Sequence, residues 1–208
     1  MLRGSKGGCS IYVPESYDHA KQYPLIFALH GGAGHGRGFL WSWLREARAR
    51  GCIVISATAT DDTWGLMQPQ ADSLNMERMV SQVSCRWNVD PTRRLLTCMS
   101  DGGTFTYVSG LNARSCFTHL APIAASFHPL MLEIVGDTRA HGLPIHITHG
   151  QHDWMSPIDV ARTAHATLNA AGAAVVLREI DDLAHTYPRD ENMRILDWVS
   201  ATAMRTAQ

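Results

Sequence analysis

The sequence predicts an α/β fold, a mostly parallel central sheet with helices packed on both faces. Three observations predict it. Short apolar runs alternate along the chain with longer stretches that read as helices. The runs are apolar without alternation, as in Leu25-Ile26-Phe27-Ala28-Leu29, which is the pattern of strands buried on both faces. Several runs also end abruptly in polar or glycine-rich residues, and in a parallel sheet the C-terminal ends of the strands share one edge.

In order, strands are expected near 10–13, 25–30, 52–57, 94–99, 119–124, 144–149 and 174–180. Helices are expected near 38–50, 71–87, 103–113, 156–171 and 190–204. Gly51 closes the first, arginine-rich helix, whose charged stretch Arg45 to Arg50 reads as a solvated face. Ser156 is positioned as a cap with Pro157 at the first helical position, and Gly172 ends that helix. No internal repeat, low-complexity tract or linker interrupts the pattern. The 208 residues therefore read as a single domain spanning 1–208, large enough to keep water out of a site.

The chemistry concentrates at the strand ends. Cys98-Met99-Ser100-Asp101-Gly102-Gly103 follows the apolar run at 94–97 directly. A strand that breaks at a serine among small residues has the form of a nucleophile elbow, in which a strained turn lifts the hydroxyl clear of the sheet. The usual G-x-S-x-G pattern has Cys98 in place of its first glycine, while Gly102 occupies the second. A serine needs a base, and the base needs an orienting acid. His185 follows the run at 174–180, and Asp153 follows the run at 144–149, so the chain order is serine, acid, histidine. Rival acids are Asp181 and Asp182, close before His185, and Asp137. The run at 24–29 ends in His30-Gly31-Gly32-Ala33-Gly34, where backbone can approach a substrate closely. Two amide donors for a developing oxyanion are expected, one from Gly32 or Ala33 and one from Asp101 at the start of the following helix. The glycine loop lacks a Gly-Lys-Ser/Thr ending and does not match G-x-G-x-x-G, which argues against a phosphate loop.

These segments, with Trp64 and Asp90-Pro91-Thr92-Arg93-Arg94, resemble the phospholipase/carboxylesterase branch of the α/β-hydrolases. That branch includes small esterases related to polyhydroxybutyrate depolymerases and feruloyl esterases. The resemblance runs from about Cys9 to about Val199. It implies an α/β-hydrolase fold, with Ser100 as nucleophile, Asp153 as acid and His185 as base. It also implies a carboxylic ester substrate, small or polymer-derived. A thioesterase, acyltransferase or peptidase with the same triad is the alternative, and a catalytically dead binding domain is a third. Lipase-like members often insert a lid. The interval from Ala125 to Leu143 holds 19 residues, too few for a cap domain, so a shallow open groove is expected. Trp154, His128 with Phe127, and Trp64 with Leu66 and Met67 are candidates to line it, with core packing as the alternative for each.

Composition excludes other classes. With 18 basic and 19 acidic residues the net charge is −1, and no basic block suggests nucleic acid. No apolar run reaches the roughly 20 residues of a membrane span, and the first residues lack the apolar core of a signal peptide. Five cysteines, an odd count without a C-x-x-C pair, favour reduced thiols and a cytoplasmic location, with a secreted mature chain as the alternative. Cys52 and Cys98 read as small core residues. His146, His149 and His152 do not match metallo-hydrolase spacing, and neither a metal nor a cofactor is expected. Oligomeric state is not encoded in these patterns.

Overall fold

The computed structural model describes residues 6–135 and 139–206. Strands are β1 (Cys9–Tyr12), β2 (Tyr23–Leu29), β3 (Ile53–Ala57), β4 (Val89–Cys98), β5 (His119–Ala121), β6 (Pro144–Gly150) and β7 (Ala174–Ile180). Helices are α1 (Gly36–Arg50), α2 (Gln70–Arg86), α3 (Asp101–Gly110), α4 (Leu130–Val135), α5 (Ile158–Ala170) and α6 (Glu191–Thr206). One seven-stranded sheet runs in the order β1-β3-β2-β4-β5-β6-β7. β1 is antiparallel to β3, and every other pair is parallel. Leu29 of β2 lies level with Ala57 of β3 and with Cys98 of β4. The loops that follow these three strands therefore emerge side by side.

Alternation along β2 sorts its side chains between two cores. Leu25, Phe27 and Leu29 pack with Met76, Val80 and Val83 of α2 and with Phe105 of α3. Ile26 and Ala28 face the other way, against Trp43 and Ala47 of α1 and Ile195, Leu196 and Val199 of α6. Burial of this kind contributes about 25 cal/mol per Å² of apolar surface and is what holds helices on both faces of the sheet.

The expected elements are present, with instructive differences at their ends. β4 starts at Val89 because Tyr23 pairs with Val89 while Leu25 pairs with Arg94, so the residues between them bulge out. Asp90 ties that bulge together by accepting from the Thr92 N–H, the Thr92 hydroxyl and Arg93 Nε. β5 is shorter than expected, since Pro122 has no N–H to donate and only an isolated bridge, Ile123 to Thr148, follows it. Ser156 does not cap α5. Its N–H and hydroxyl are committed to Asp153 and Ala125 O, and Pro157 is extended at ψ 145°, so the helix begins at Ile158. β1 and β7 are edge strands with alternating exposure rather than two buried faces. On β7, Glu179 is engaged by Arg162 at 2.8 and 2.9 Å, a charged side chain of the sort that discourages edge pairing. The short helix α4 lies in the interval between β5 and β6, for which no helix was expected, and no cap domain occurs among the described residues.

Two buried histidines are expected to make the fold acid-sensitive. His119 and His146 are buried around Trp198, with ring centroids 5.3 and 5.4 Å from it. Burial pushes both down to about 4. Above the unfolded-state value of about 6.5 both states are neutral and neither ring affects stability. Below it the unfolded chain takes up protons first. Stability is expected to fall as pH drops from about 6.5 to about 4, by on the order of a few kcal/mol per histidine. Urea midpoints across that range check this, and the His119→Asn/His146→Asn double variant should show a shallower slope than the parent.

Candidate active site

Strand β4 ends at Cys98 and helix α3 begins at Asp101, leaving Met99 and Ser100 to make the turn. Ser100 takes φ 55° and ψ −117°, a conformation costly for any residue with a side chain. Hydrogen bonds hold it there. Its N–H donates to Ile123 O at 2.9 Å, and its carbonyl accepts from Gly103 N at 2.7 Å and Thr104 N at 3.0 Å. A Cβ on Gly102 would stand 2.5 Å from the His30 carbonyl oxygen and 2.9 Å from that of Leu29, so only glycine fits. The Cys98 side chain lies beside a second glycine, Gly103, where an added Cβ would stand 2.6 Å from that of Ala125. A Cβ on Gly103 would lie 3.2 Å from the sulfur. Cys98 Sγ accepts from Ile123 N at 3.4 Å, and burial pushes its thiol up to about 12, which keeps it protonated and inert.

Three residues distant in sequence meet at this turn. Ser100 Oγ lies 2.9 Å from His185 Nε2. His185 Nδ1 lies 2.8 Å from Asp153 Oδ2 and 3.0 Å from Oδ1. A carboxylate only accepts, so Nδ1 carries the proton and Nε2 is free to accept from the serine hydroxyl. The Asp153 carboxylate is fully buried, and its Oδ1 also accepts from Met155 N at 3.0 Å and Ser156 N at 2.9 Å. Asp181 and Asp182 are exposed, and the acid that reaches His185 is Asp153. Asp137 lies outside the described residues. Such a chain can pass the serine proton to the imidazole and offset the resulting charge with the carboxylate.

The glycine-rich loop after β2 lies against the elbow. A Cβ on Gly31 would sit 3.4 Å from Ser100 Cβ, and one on Gly32 would sit 2.7 Å from Asp101 Oδ2. Of the amides expected to face an oxyanion, that of Ala33 is already used, donating to Asp62 O at 3.1 Å. The Gly32 and Asp101 N–H groups have no acceptor among the described residues.

A brace supports this loop from behind, and the way its parts join was not evident in the sequence. His30 Nε2 accepts from Ala59 N at 3.1 Å, so its Nδ1 carries the proton and donates to Gly31 O at 2.6 Å. Burial lowers the His30 pKa and keeps this tautomer neutral. Trp64 donates from Nε1 to His30 O at 2.8 Å and stacks on Phe105 at 5.5 Å. With 2% exposure it is a pillar beneath the loop, not the pocket wall anticipated for it; an indole that can bond a backbone carbonyl is most stable buried there. Thr63 Oγ1 donates to Asp101 Oδ2 at 2.7 Å. Buried Asp72, in the first turn of α2, accepts from Thr60 N and Gly65 N and closes the brace. An acid in a first turn is a visible sequence signal, but the loop it grips is not.

The loops that leave the C-terminal edge of the sheet carry several exposed side chains. Trp154 is 76% exposed on the loop after β6, and Met67 is 94% exposed on the loop after β3. His128 is exposed, and its Nδ1 accepts from Leu130 N at the start of α4. Phe127 is core, edge-on to Tyr107, and Leu66 packs against the same core. A shallow depression of about 290 Å³ borders Gly31 and Gly32 and is walled by His35 and Phe39. A larger cleft of about 440 Å³, between Pro91, Phe117 and Arg139, opens at the other end of the strands, away from Ser100. Among the described residues no group of three or more His, Cys, Asp or Glu is arranged to hold a metal ion.

No family model matches this sequence, and no curated protein matches it. Solved structures do. Esterase PE8 superposes with a TM-score of 0.75 at 15% identity, over 94% of this chain and 98% of that one. SOBER1 of Arabidopsis thaliana gives 0.69 at 15% identity, over 86% and 99%. Esterase 2 of Thermogutta terrifontis, phosphorylated by paraoxon, gives 0.69 at 20% identity, over 93% and 85%.

The elbow itself can be tested. Gly102→Ala forces a methyl onto the His30 and Leu29 carbonyls. It should destabilise the protein by about 1–3 kcal/mol, read from denaturant midpoints, whereas Gly38→Ala, at a glycine with open space around it, should not. A parallel sheet flanked on both faces by helices, a strained serine where β4 meets α3, and end-to-end likeness to solved esterases together show that this chain has the α/β-hydrolase fold.

Proposed function

We propose that this protein is a serine hydrolase that cleaves carboxylic esters through an acyl-enzyme on Ser100. The observation that carries the reading is the unbroken hydrogen-bond chain from Ser100 Oγ through His185 to buried Asp153. One continuous sheet through the described residues supports treating 1–208 as one α/β-hydrolase domain. Likeness to esterases of the same fold, one of them phosphorylated by paraoxon, also supports it.

In this mechanism His185 removes the proton from Ser100 as its oxygen attacks the acyl carbonyl. Asp153 holds the imidazole in the Nδ1–H tautomer and stabilises the imidazolium. The unpartnered Gly32 and Asp101 amides receive the oxyanion, each contributing on the order of 3 kcal/mol to transition-state stabilisation. His185 returns the proton to the leaving alcohol, the ester C–O bond breaks, and water repeats the sequence on the acyl-enzyme. The substrate lies across an open site with Trp154 and His128 at its rim. The exposed side chains of Trp154, Met155 and Met67, on loops that leave the same sheet edge, and of Leu130 at the start of α4, favour an apolar acyl or alcohol group, small or polymer-derived.

Wild-type protein is expected to hydrolyse short p-nitrophenyl esters faster than the matched thioesters and anilides. Ser100→Ala should lose about 10⁴-fold or more of kcat/KM. A fluorophosphonate should add one adduct to the wild type, located by mass spectrometry at Ser100, and none to the alanine variant. Turnover by Ser100→Ala at even a tenth of the parental rate would overturn the reading.

A further inference from the structure

His149, at the end of β6, is buried beside the proposed acid and has a role that packing does not explain. Its Nε2 lies 2.7 Å from Ser156 O. That carbonyl can only accept, so Nε2 is the protonated nitrogen and donates. The same atom stands 3.4 Å from Asp153 Oδ2, with both side chains fully shielded from solvent. The other ring nitrogen, Nδ1, is buried without a hydrogen-bond partner. An apolar residue of similar size would avoid an orphaned polar atom, which costs about 1–3 kcal/mol. A ring retained at that expense is better explained by what its donor nitrogen does.

That nitrogen organises the surroundings of the carboxylate. The Ser156 N–H and Met155 N–H hold Oδ1 of Asp153, and the segment carrying them is pinned by His149 through Ser156 O. Ser156 Oγ adds a bond to Ala125 O, at 3.4 Å, on the loop after β5. Directly across the sheet, Glu179 of β7 pairs in register with His149, but its carboxylate is taken by Arg162 and Gln151. The acidic group against which the His149 N–H lies is therefore Asp153.

We propose that His149 is a positioning residue for the acid: by tethering Ser156 O and lying against Oδ2, it fixes the Asp153 carboxylate in the orientation that His185 Nδ1–H requires. This rests on reading Ser100, His185 and Asp153 as a catalytic triad. Misplacing a catalytic group by about 1 Å lowers rates on the order of 100-fold, so the effect falls on the chemical step.

The test uses the full chain, short p-nitrophenyl esters and fluorophosphonate labelling of Ser100. His149→Leu removes both nitrogens, whereas His149→Gln keeps an N–H donor at the reach of Nε2. Leucine is expected to lower kcat and the labelling rate together by about 10- to 100-fold with KM changed less than about threefold. Glutamine should restore most of that loss. In an Asp153→Asn background the leucine substitution should add little, since a residue acting through Asp153 has nothing left to position. Where the leucine variant fails to fold, glutamine against the shorter His149→Asn serves instead, with only glutamine active. Wild-type rates in His149→Leu, equal loss with glutamine, or an undiminished loss in the Asp153→Asn background would overturn the proposal while leaving the esterase reading intact. Absence of both turnover and labelling in the wild type would take down both.

Discussion

Ser100 sits in backbone geometry that a serine does not adopt freely, and the surrounding structure must keep it there. The restraint comes from neighbours on both sides. Ile123 O takes its N–H, the first turn of α3 takes its carbonyl, and the His30 backbone closes over Gly102 so tightly that no side chain fits between them. Each contact requires β2, β4 and β5 to end at matching heights, which the parallel register provides. The strain is thus distributed through the middle of the sheet, where the core is most completely buried.

The same logic extends behind the glycine loop. A loop of small residues approaches a serine closely only because it lacks bulk, and for that reason it cannot order itself. Here the order is supplied by larger neighbours. His30 bridges two loops in a single tautomer, Trp64 bonds the His30 carbonyl from the core, and Ala33 gives its N–H to Asp62. Ala33 is thereby removed from contention as an oxyanion donor, and Gly32 and Asp101 are left with amides to offer. Buried polar groups satisfied in this way specify one arrangement, since breaking any bond strands its partner away from water.

Much of this was legible in the chain. Uninterrupted apolar runs such as 25–29 announced strands covered on both faces, and the C-terminal positions of Ser100, Asp153 and His185 relative to their runs brought them to one edge. Edge strands were harder to distinguish: β7 is as apolar at its start as an inner strand, and only its place in the sheet exposes Val176. The expected cap at Ser156 failed because that residue faces a competing demand from Asp153, a partner that local sequence rules do not count. Trp64 took the core-packing alternative for a similar reason. An aromatic near a site can line it or support it, and its direction depends on which neighbouring carbonyl needs a donor.

Residue order and periodicity were enough to indicate the class of fold, the direction of the strands and a serine, an acid and a histidine at strand ends, the three that the structure brings within hydrogen-bond distance, because those signals are carried by nearest neighbours along the chain. The engagement of the Ala33 amide by Asp62, the packing of Cys98 beside Gly103, and the cage of Met155, Ser156 and His149 around Asp153 arose only on folding. They depend on contacts between segments far apart in sequence, such as the carbonyl of Asp62 reaching the amide of Ala33, which local sequence patterns do not carry.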